Sequence, residues 1–126
     1  MEFTDPAWFS PDYFTARARF RELVAERGGR LEAIELSVVG PEGDPLTIDI
    51  GWFGAEKPRN VILHCSGIHG VEGFSGSAIQ LAALCDDAFM PTEGDAVIWV
   101  HVLNPYGMSW KRRVNENNVD LNRNFM

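Results

Sequence analysis

His69 and Glu72 lie three residues apart in a glycine-rich segment, residues 66–73. An imidazole nitrogen and a carboxylate oxygen are a common ligand pair for Zn²⁺, and the glycines allow the backbone to turn so that both side chains point at one ion. The H-x-x-E spacing also occurs by chance in many proteins, so an exposed loop is the simpler interpretation of these two residues alone. The pair is a candidate zinc site that needs support from other residues.

A second group of polar side chains lies near the end of the sequence: Arg112, Arg113, Asn122 and Arg123. Guanidinium groups bind carboxylates through paired hydrogen bonds and stabilise negative charge that develops on a carbonyl oxygen. Residues 110–126 contain four basic and two acidic side chains, a net charge of +2, whereas the whole chain carries −7. This contrast indicates either a pocket that receives an anion or an ordinary basic surface loop.

Both groups follow segments that predict buried strands. Residues 61–65 and 95–103 are short apolar runs, and between them apolar residues spaced three or four apart predict a helix over residues 71–85. A strand, a glycine-rich loop, a helix and a second strand form a βαβ unit with parallel strands. Because sites in α/β sheets form at the carboxyl ends of strands, we expect the two groups to meet at one edge.

The first half of the sequence predicts elements that support this unit. A helix is expected with Ser10 as its cap and Pro11 at its first position, ending at a Gly-Gly pair. Residues 31–39 and 46–53 predict an antiparallel hairpin near a sheet edge, joined by a turn rich in glycine and proline. The pattern as a whole predicts a single α/β domain over residues 1–126.

Composition excludes several classes of protein. The chain has 126 residues, of which 45% are hydrophobic and 23% charged, the balance of a soluble globular domain, and its net charge of −7 argues against general affinity for nucleic acid. Its apolar runs are too short to cross a bilayer, and its first residues do not form a secretory signal. Cys65 and Cys85 are too few for a disulfide framework and do not fit a zinc ribbon. We therefore expect a cytoplasmic protein without nucleic-acid or membrane partners.

The motifs GIHGVEG, NPYG, WKRR and VDLNRNF, in this order and with the predicted helix and strand between the first two, resemble the zinc carboxypeptidase (metallocarboxypeptidase) family. The likeness is strongest to a bacterial carboxypeptidase-like branch of unknown function. The matching segment covers residues 61–125, about half of the chain. The resemblance implies a three-layer mixed sheet flanked by helices, of which this sequence would form the N-terminal half.

The resemblance also implies roles for individual residues. His69 and Glu72 match the first two zinc ligands of the family, and Asn122 with Arg123 matches the pair that binds the terminal carboxylate of the substrate. The implied cofactor is zinc. The implied substrate is a small peptide or an N-acyl amino acid.

One further arginine would polarise the carbonyl group of the bond to be cleaved. Arg112 and Arg113 are both candidates, and the choice stays open because WKRR differs by one residue from the usual W-R-K-x-R pattern. Asp120 is expected to orient a ligand histidine or its loop rather than to act directly.

A catalytic zinc takes three protein ligands and keeps one position open for water. In the family, the third ligand histidine and the general-base glutamate lie downstream of the VDLNRNF segment, and no residue of this sequence matches them. His64 and His101 are the only other histidines. Each lies in an apolar strand, where a core position is the simpler interpretation, and His101 is the better substitute ligand of the two. We therefore expect weak or no activity from this chain alone.

The function expected from these observations is zinc-dependent hydrolysis of peptide or N-acyl amino acid amide bonds. An unpaired sheet edge would also favour a homo-oligomer. One alternative is a catalytically inactive carboxypeptidase-like protein that serves as a binding module or subunit. Another is a serine hydrolase fragment, although residues 73–77 depart from the G-x-S-x-G pattern because position 77 is a serine.

Overall fold

The computed structural model describes residues 2–125, which contain α-helices, β-strands and short 3₁₀ turns. In chain order the elements are α1 (Tyr13–Glu26), β1 (Arg30–Val39), β2 (Pro45–Gly54), β3 (Val61–Cys65), α2 (Gly73–Leu84), β4 (Ala96–His101) and α3 (Pro105–Ser109). The 3₁₀ turns are Pro6–Trp8, Asp87–Phe89 and Leu121–Arg123. Across residues 2–125, the helices are all too short or too polar to span a membrane.

The strands form one mixed sheet in the order β1-β2-β4-β3. β2 pairs antiparallel with both β1 and β4, whereas β3 and β4 are parallel. The predicted hairpin at the sheet edge and the predicted βαβ unit are therefore confirmed. Because β3 and β4 are parallel neighbours, the segments that follow Cys65 and His101 leave the sheet at the same edge.

The first helix begins later than the sequence predicts. Ser10 is not its cap, and Pro11 is not its first residue; instead, the side chain of Asp12 accepts a hydrogen bond from the backbone N–H of Thr15 at 2.8 Å. A carboxylate at this position satisfies a free N–H of the first turn, as a serine hydroxyl would. Ser10 accepts a hydrogen bond from Arg19 at 3.1 Å instead.

The sheet is covered by helices on one face only in the described part of the chain. Phe20 and Val24 of α1 contact that face at Gly51, which leaves room for them because it has no side chain. On the opposite face, Ile34 is 55% exposed and Leu63 is 61% exposed. The expectation of a three-layer fold is therefore wrong for residues 2–125. These residues form two layers, since no helix in this range packs against the second face of the sheet.

The strand β2 turns its polar residues toward the helices. Thr47 and Asp49 are buried beneath α1, and the isoleucines that alternate with them lie on the opposite face. The Tyr13 hydroxyl donates to the Thr47 carbonyl at 2.6 Å, and Arg21 forms an ion pair with Asp49 at 2.8 Å. These contacts compensate the burial of polar groups and fix α1 on the sheet.

Candidate metal centre

Two loops form the site, and backbone hydrogen bonds join them where they leave β3 and β4. Leu103 N–H donates to Ser66 O at 2.9 Å, and Asn104 N–H donates to Gly67 O at 2.8 Å. Farther along, Gly70 N–H donates to the carbonyl of Arg113 at 3.2 Å. The glycine-rich loop is thus held against the arginine-bearing segment, as the parallel pairing of the strands leads us to expect.

Gly70 permits the closest approach between the two loops. A Cβ atom at this position would lie 2.0 Å from the carbonyl carbon of Gly107 and 2.3 Å from the carbonyl oxygen of Arg112. Both are backbone atoms, which cannot move aside as a flexible side chain can. Glycine is therefore required here for steric reasons. The sequence signals this only by placing Gly70 between the two candidate ligands.

The imidazole of His69 lies between two carboxylates. Its Nδ1 is 3.2 Å from Glu72 Oε2, and its Nε2 is 2.8 Å from Asp120 Oδ1. The side chain of His69 is 8% exposed, whereas that of Glu72 is 66% exposed. The predicted candidate pair is thus brought together, with the glutamate on the solvent side of the histidine.

The hydrogen-bonding capacity of His69 tests whether this pair fits a metal ion. A neutral imidazole has one N–H, and if that proton is on Nε2 and donated to Asp120, the Nδ1 lone pair faces Glu72 Oε2 at 3.2 Å. Two facing lone pairs need a positive species, either a proton on the ring or a cation. Two ligands of one tetrahedral zinc, each about 2.0–2.1 Å from the ion, lie about 3.3 Å apart. The separation therefore fits two ligands of the same ion.

Asp120 contacts the other side of the imidazole, where the sequence leads us to expect a residue that orients a histidine or its loop. Its carboxylate also accepts hydrogen bonds from the Arg113 guanidinium at 3.2 Å and from Asn122 N–H at 3.0 Å. Partial burial raises the pKa of this carboxyl, but the hydrogen bonds with His69, Arg113 and Asn122 outweigh that effect and lower the pKa to about 2. Asp120 is therefore ionised at neutral pH and favours the Nε2–H tautomer of His69.

The two arginines that the sequence could not distinguish lie in different surroundings. Arg113 reaches the pair, because its Nη1 donates to Glu72 Oε1 at 3.4 Å. Arg112 instead donates to the side chain of Asn118 at 3.4 Å. Arg123 lies beside the site, where its Nη1 donates to Asp120 at 3.3 Å, and the side chain is 65% exposed.

Asn122 contributes its backbone N–H to Asp120, and the residue is exposed. Within residues 2–125, no three His, Cys, Asp or Glu side chains converge in a way that could hold a metal ion. Asp120 does not complete such a set with His69 and Glu72, because the two nitrogens of an imidazole point in opposite directions.

The other two histidines lie away from this pair. His101 is fully buried in the sheet, where its Nε2 is 2.8 Å from Ser77 Oγ and its ring stacks on Phe20. It contacts core residues rather than the loop edge, so the idea of His101 as a substitute ligand is wrong for this structure. His64 contacts Gln80 at 3.2 Å and the ring of Trp99.

The contact between Ser77 and His101 also bears on the serine hydrolase alternative. A serine and a histidine at hydrogen-bond distance form part of a nucleophilic triad. Here Ser77 is 1% exposed and His101 is fully buried, so a substrate has no access to the hydroxyl. The pair is a core hydrogen bond that satisfies the Ser77 hydroxyl and the Nε2 atom of His101, whereas His101 Nδ1 is buried without a partner.

The burial of His101 predicts a pH-dependent stability. Burial lowers the pKa of this imidazole to about 4, against about 6.5 in the unfolded chain, so the unfolded state takes up the proton first as the pH falls. The free energy of unfolding should drop by about 2 kcal/mol between about pH 7 and pH 5, as measured by urea denaturation. His101→Gln should remove most of this dependence.

His64→Gln is the control for the same experiment, because burial also lowers the pKa of His64. His64 is only half-buried, so we expect His64→Gln to change the pH dependence of the free energy of unfolding less than His101→Gln does. An unchanged pH dependence in the His101 variant would contradict this explanation.

Comparison with known proteins tests the suggested family. A family model described as "Protein of unknown function (DUF2817)" matches residues 9–126. A crystal structure of Fimbriiglobus ruber glutaminyl cyclase is similar, with a TM-score of 0.50 and 13% identity over 76% of this chain and 41% of that chain. A glutaminyl cyclase from Porphyromonas gingivalis matches with a TM-score of 0.42 and 12% identity, over 79% of this chain and 47% of that chain. No curated protein gives a significant match.

These matches correct the assignment made from motifs. The zinc carboxypeptidase family is not supported, since the family model that matches residues 9–126 is a different one. The likeness to the first cyclase supports a mixed α/β fold and no more at 13% identity. The chain spans less than half the length of either cyclase. Because the family model covers almost the whole chain, the protein belongs to the family described as protein of unknown function DUF2817.

Proposed function

We propose that this chain contributes two zinc ligands to an enzyme that hydrolyses an amide bond in a small peptide or an N-acyl amino acid. The observation that carries the proposal is the position of His69, with Nδ1 facing Glu72 at 3.2 Å and Nε2 held by Asp120 at 2.8 Å. A carboxylate on the second nitrogen of a ligand histidine is the usual arrangement in metal sites. Glu72 then lies beside the other ring nitrogen, at a separation that suits a second ligand of the same ion.

His69 and Glu72 would hold the ion, and bound zinc would supply a water of lowered pKa and a Lewis acid for the substrate carbonyl. No set of three donors converges within residues 2–125. A third protein ligand would therefore have to come from outside these residues. Asp120 keeps the lone pair of His69 Nδ1 directed at the ion site. The guanidinium of Arg113 lies beside the same pair, where it can stabilise negative charge on an oxygen.

The arginines near the pair favour a substrate that carries a carboxylate. Arg123 uses one nitrogen for Asp120, and its 65% exposed side chain leaves further donors for a ligand. Asn122 next to it is also exposed. A guanidinium and an amide at this position can bind a terminal carboxylate through several hydrogen bonds.

Zinc titration of the full chain by calorimetry, after treatment with a chelator, tests the ligand assignment. His69→Ala and Glu72→Gln should each weaken zinc binding by at least about tenfold, because each removes one of two ligands. His64→Ala and Glu116→Gln are matched controls of the same residue types, and they should bind zinc as the wild type does. Equal affinities in all five proteins would overturn the proposal.

Substrate assays then test the reaction class. N-acyl amino acids with a free carboxylate should be hydrolysed faster than the same compounds with a carboxamide, and the activity should be lost with chelator. A peptide with an N-terminal glutamine is the second substrate to test, since the fold neighbour is named a glutaminyl cyclase. The expected rates are low, because the described residues supply only two zinc ligands, and zinc binding without any detectable turnover of either compound would favour the non-catalytic binding module.

A further inference from the structure

Arg113 bridges the two carboxylates that flank His69. Its Nη1 donates to Glu72 Oε1 at 3.4 Å, and its Nε donates to Asp120 Oδ2 at 3.2 Å. The guanidinium thus binds the outer oxygen of Glu72, while the other oxygen of that carboxylate faces His69.

The backbone fixes the position of Arg113 independently of these side-chain contacts. Its carbonyl accepts hydrogen bonds from Gly70 N–H at 3.2 Å and from the side chain of Asn104 at 3.3 Å. Asn104 is itself buried, and its side chain also accepts from Gly107 N–H at 2.8 Å. The backbone of Arg113 is therefore held beside the pair by the same contacts that close the two loops.

The charges around the pair already balance without a metal ion. Glu72 and Asp120 carry two negative charges, and Arg113 and Arg123 carry two positive charges in contact with them. A divalent cation that binds His69 and Glu72 therefore enters a neutral cluster rather than an acidic one. The Arg113 guanidinium, which donates to Glu72 Oε1 at 3.4 Å, disfavours a second cation on that carboxylate, and salt screens this repulsion because the two side chains are 49% and 66% exposed.

We propose that Arg113 sets the metal affinity of this site by competing with the divalent cation for Glu72. This inference rests on the proposed function, because it assumes that His69 and Glu72 are ligands. The guanidinium acts as a built-in counter-cation that holds Glu72 in place, and it weakens the binding of the metal to the carboxylate. The weaker metal binding is due to the positive charge of Arg113 and not to the planar geometry of its guanidinium group, because electrostatic repulsion depends on net charge.

Arg112 provides a matched comparison. It is the adjacent residue with the same charge, but it contacts the side chain of Asn118 rather than either carboxylate. Its removal therefore changes the net charge of the chain by the same amount without freeing Glu72.

The test is titration of the full chain with Zn²⁺ and, separately, with Co²⁺, using calorimetry and the visible absorption of bound cobalt. Arg113→Gln should bind the ion about tenfold more tightly than the wild type at low salt, and the difference should shrink as salt is added. Arg113→Lys should stay close to the wild type, because it keeps the charge. Arg112→Gln should change the affinity by no more than about twofold.

The possible outcomes separate this inference from the proposed function. Equal or weaker binding by Arg113→Gln would overturn the inference, as would equal tightening by Arg112→Gln. If His69→Ala abolishes binding while Arg113→Gln has no effect, the ligand assignment stands and only the competition fails. If none of the proteins binds either ion, both proposals fail. Circular dichroism checks that each variant is folded.

Discussion

Replacing Gly70 by alanine should separate the two loops and abolish the site. The new Cβ would lie 2.0 Å from the carbonyl carbon of Gly107 and 2.3 Å from the carbonyl oxygen of Arg112, so one backbone segment has to move. Such overpacking costs about 3 kcal/mol, which urea denaturation would detect as a lower free energy of unfolding. Zinc binding should weaken by more than about tenfold, since His69 would lose its alignment with the segment that carries Asp120.

Gly43→Ala is the control for this variant. A Cβ at Gly43 meets nothing within 4 Å, although the residue has a φ of +85°. We expect a cost of about 1 kcal/mol from the left-handed backbone and unchanged zinc affinity. If Gly70→Ala were as stable as Gly43→Ala, and bound zinc as well, the close approach of the loops would not matter.

Replacing Asp120 by alanine should weaken zinc binding by about 10- to 100-fold, although Asp120 is not itself proposed as a ligand. The carboxylate is 2.8 Å from His69 Nε2, so it orients the ring and favours a proton on that nitrogen. Asp120→Asn should have a smaller effect, because the amide oxygen can still accept from Nε2–H. Calorimetric titration with zinc measures both changes.

Asp120 also begins the 3₁₀ turn Leu121–Arg123 by accepting a hydrogen bond from Asn122 N–H, so the loss of this cap needs its own control. Asp86 does the same for the turn Asp87–Phe89, where it accepts from Ala88 N–H at 2.9 Å. Asp86→Ala should leave zinc affinity unchanged. Equal affinity in Asp120→Ala and the wild type would show that this carboxylate does not orient a ligand.

The sequence was sufficient to predict β3, α2 and β4 because their signals are local. The apolar runs of the two strands and the helical spacing between them depend only on neighbouring residues. Parallel pairing then follows from the rule for βαβ units, and with it the meeting of the two loops at one edge. The proximity of His69 and Glu72 was predictable for the same reason, since only three residues separate them.

Other features depend on contacts between distant residues. Asp49 is buried where α1 covers β2 and Arg21 of α1 pairs with its carboxylate, and no pattern within β2 indicates this. The choice between Arg112 and Arg113 depends on the backbone after α3, where Lys111 adopts a φ of +55°. The number of layers depends on which faces the helices cover. The short motifs used in the sequence analysis reflect only the local structure of the two loops. For this reason they did not identify the correct family.

The contact between His69 and Asp120 joins residues that are 51 positions apart. None of residues 111–125 is buried, and the only regular element among them is a single 3₁₀ turn. Little apolar surface therefore offsets the conformational entropy lost when this segment becomes ordered. A substrate that binds beside His69 and engages the segment's arginines would contribute to that ordering, so substrate binding and the ordering of residues 111–125 would be thermodynamically linked.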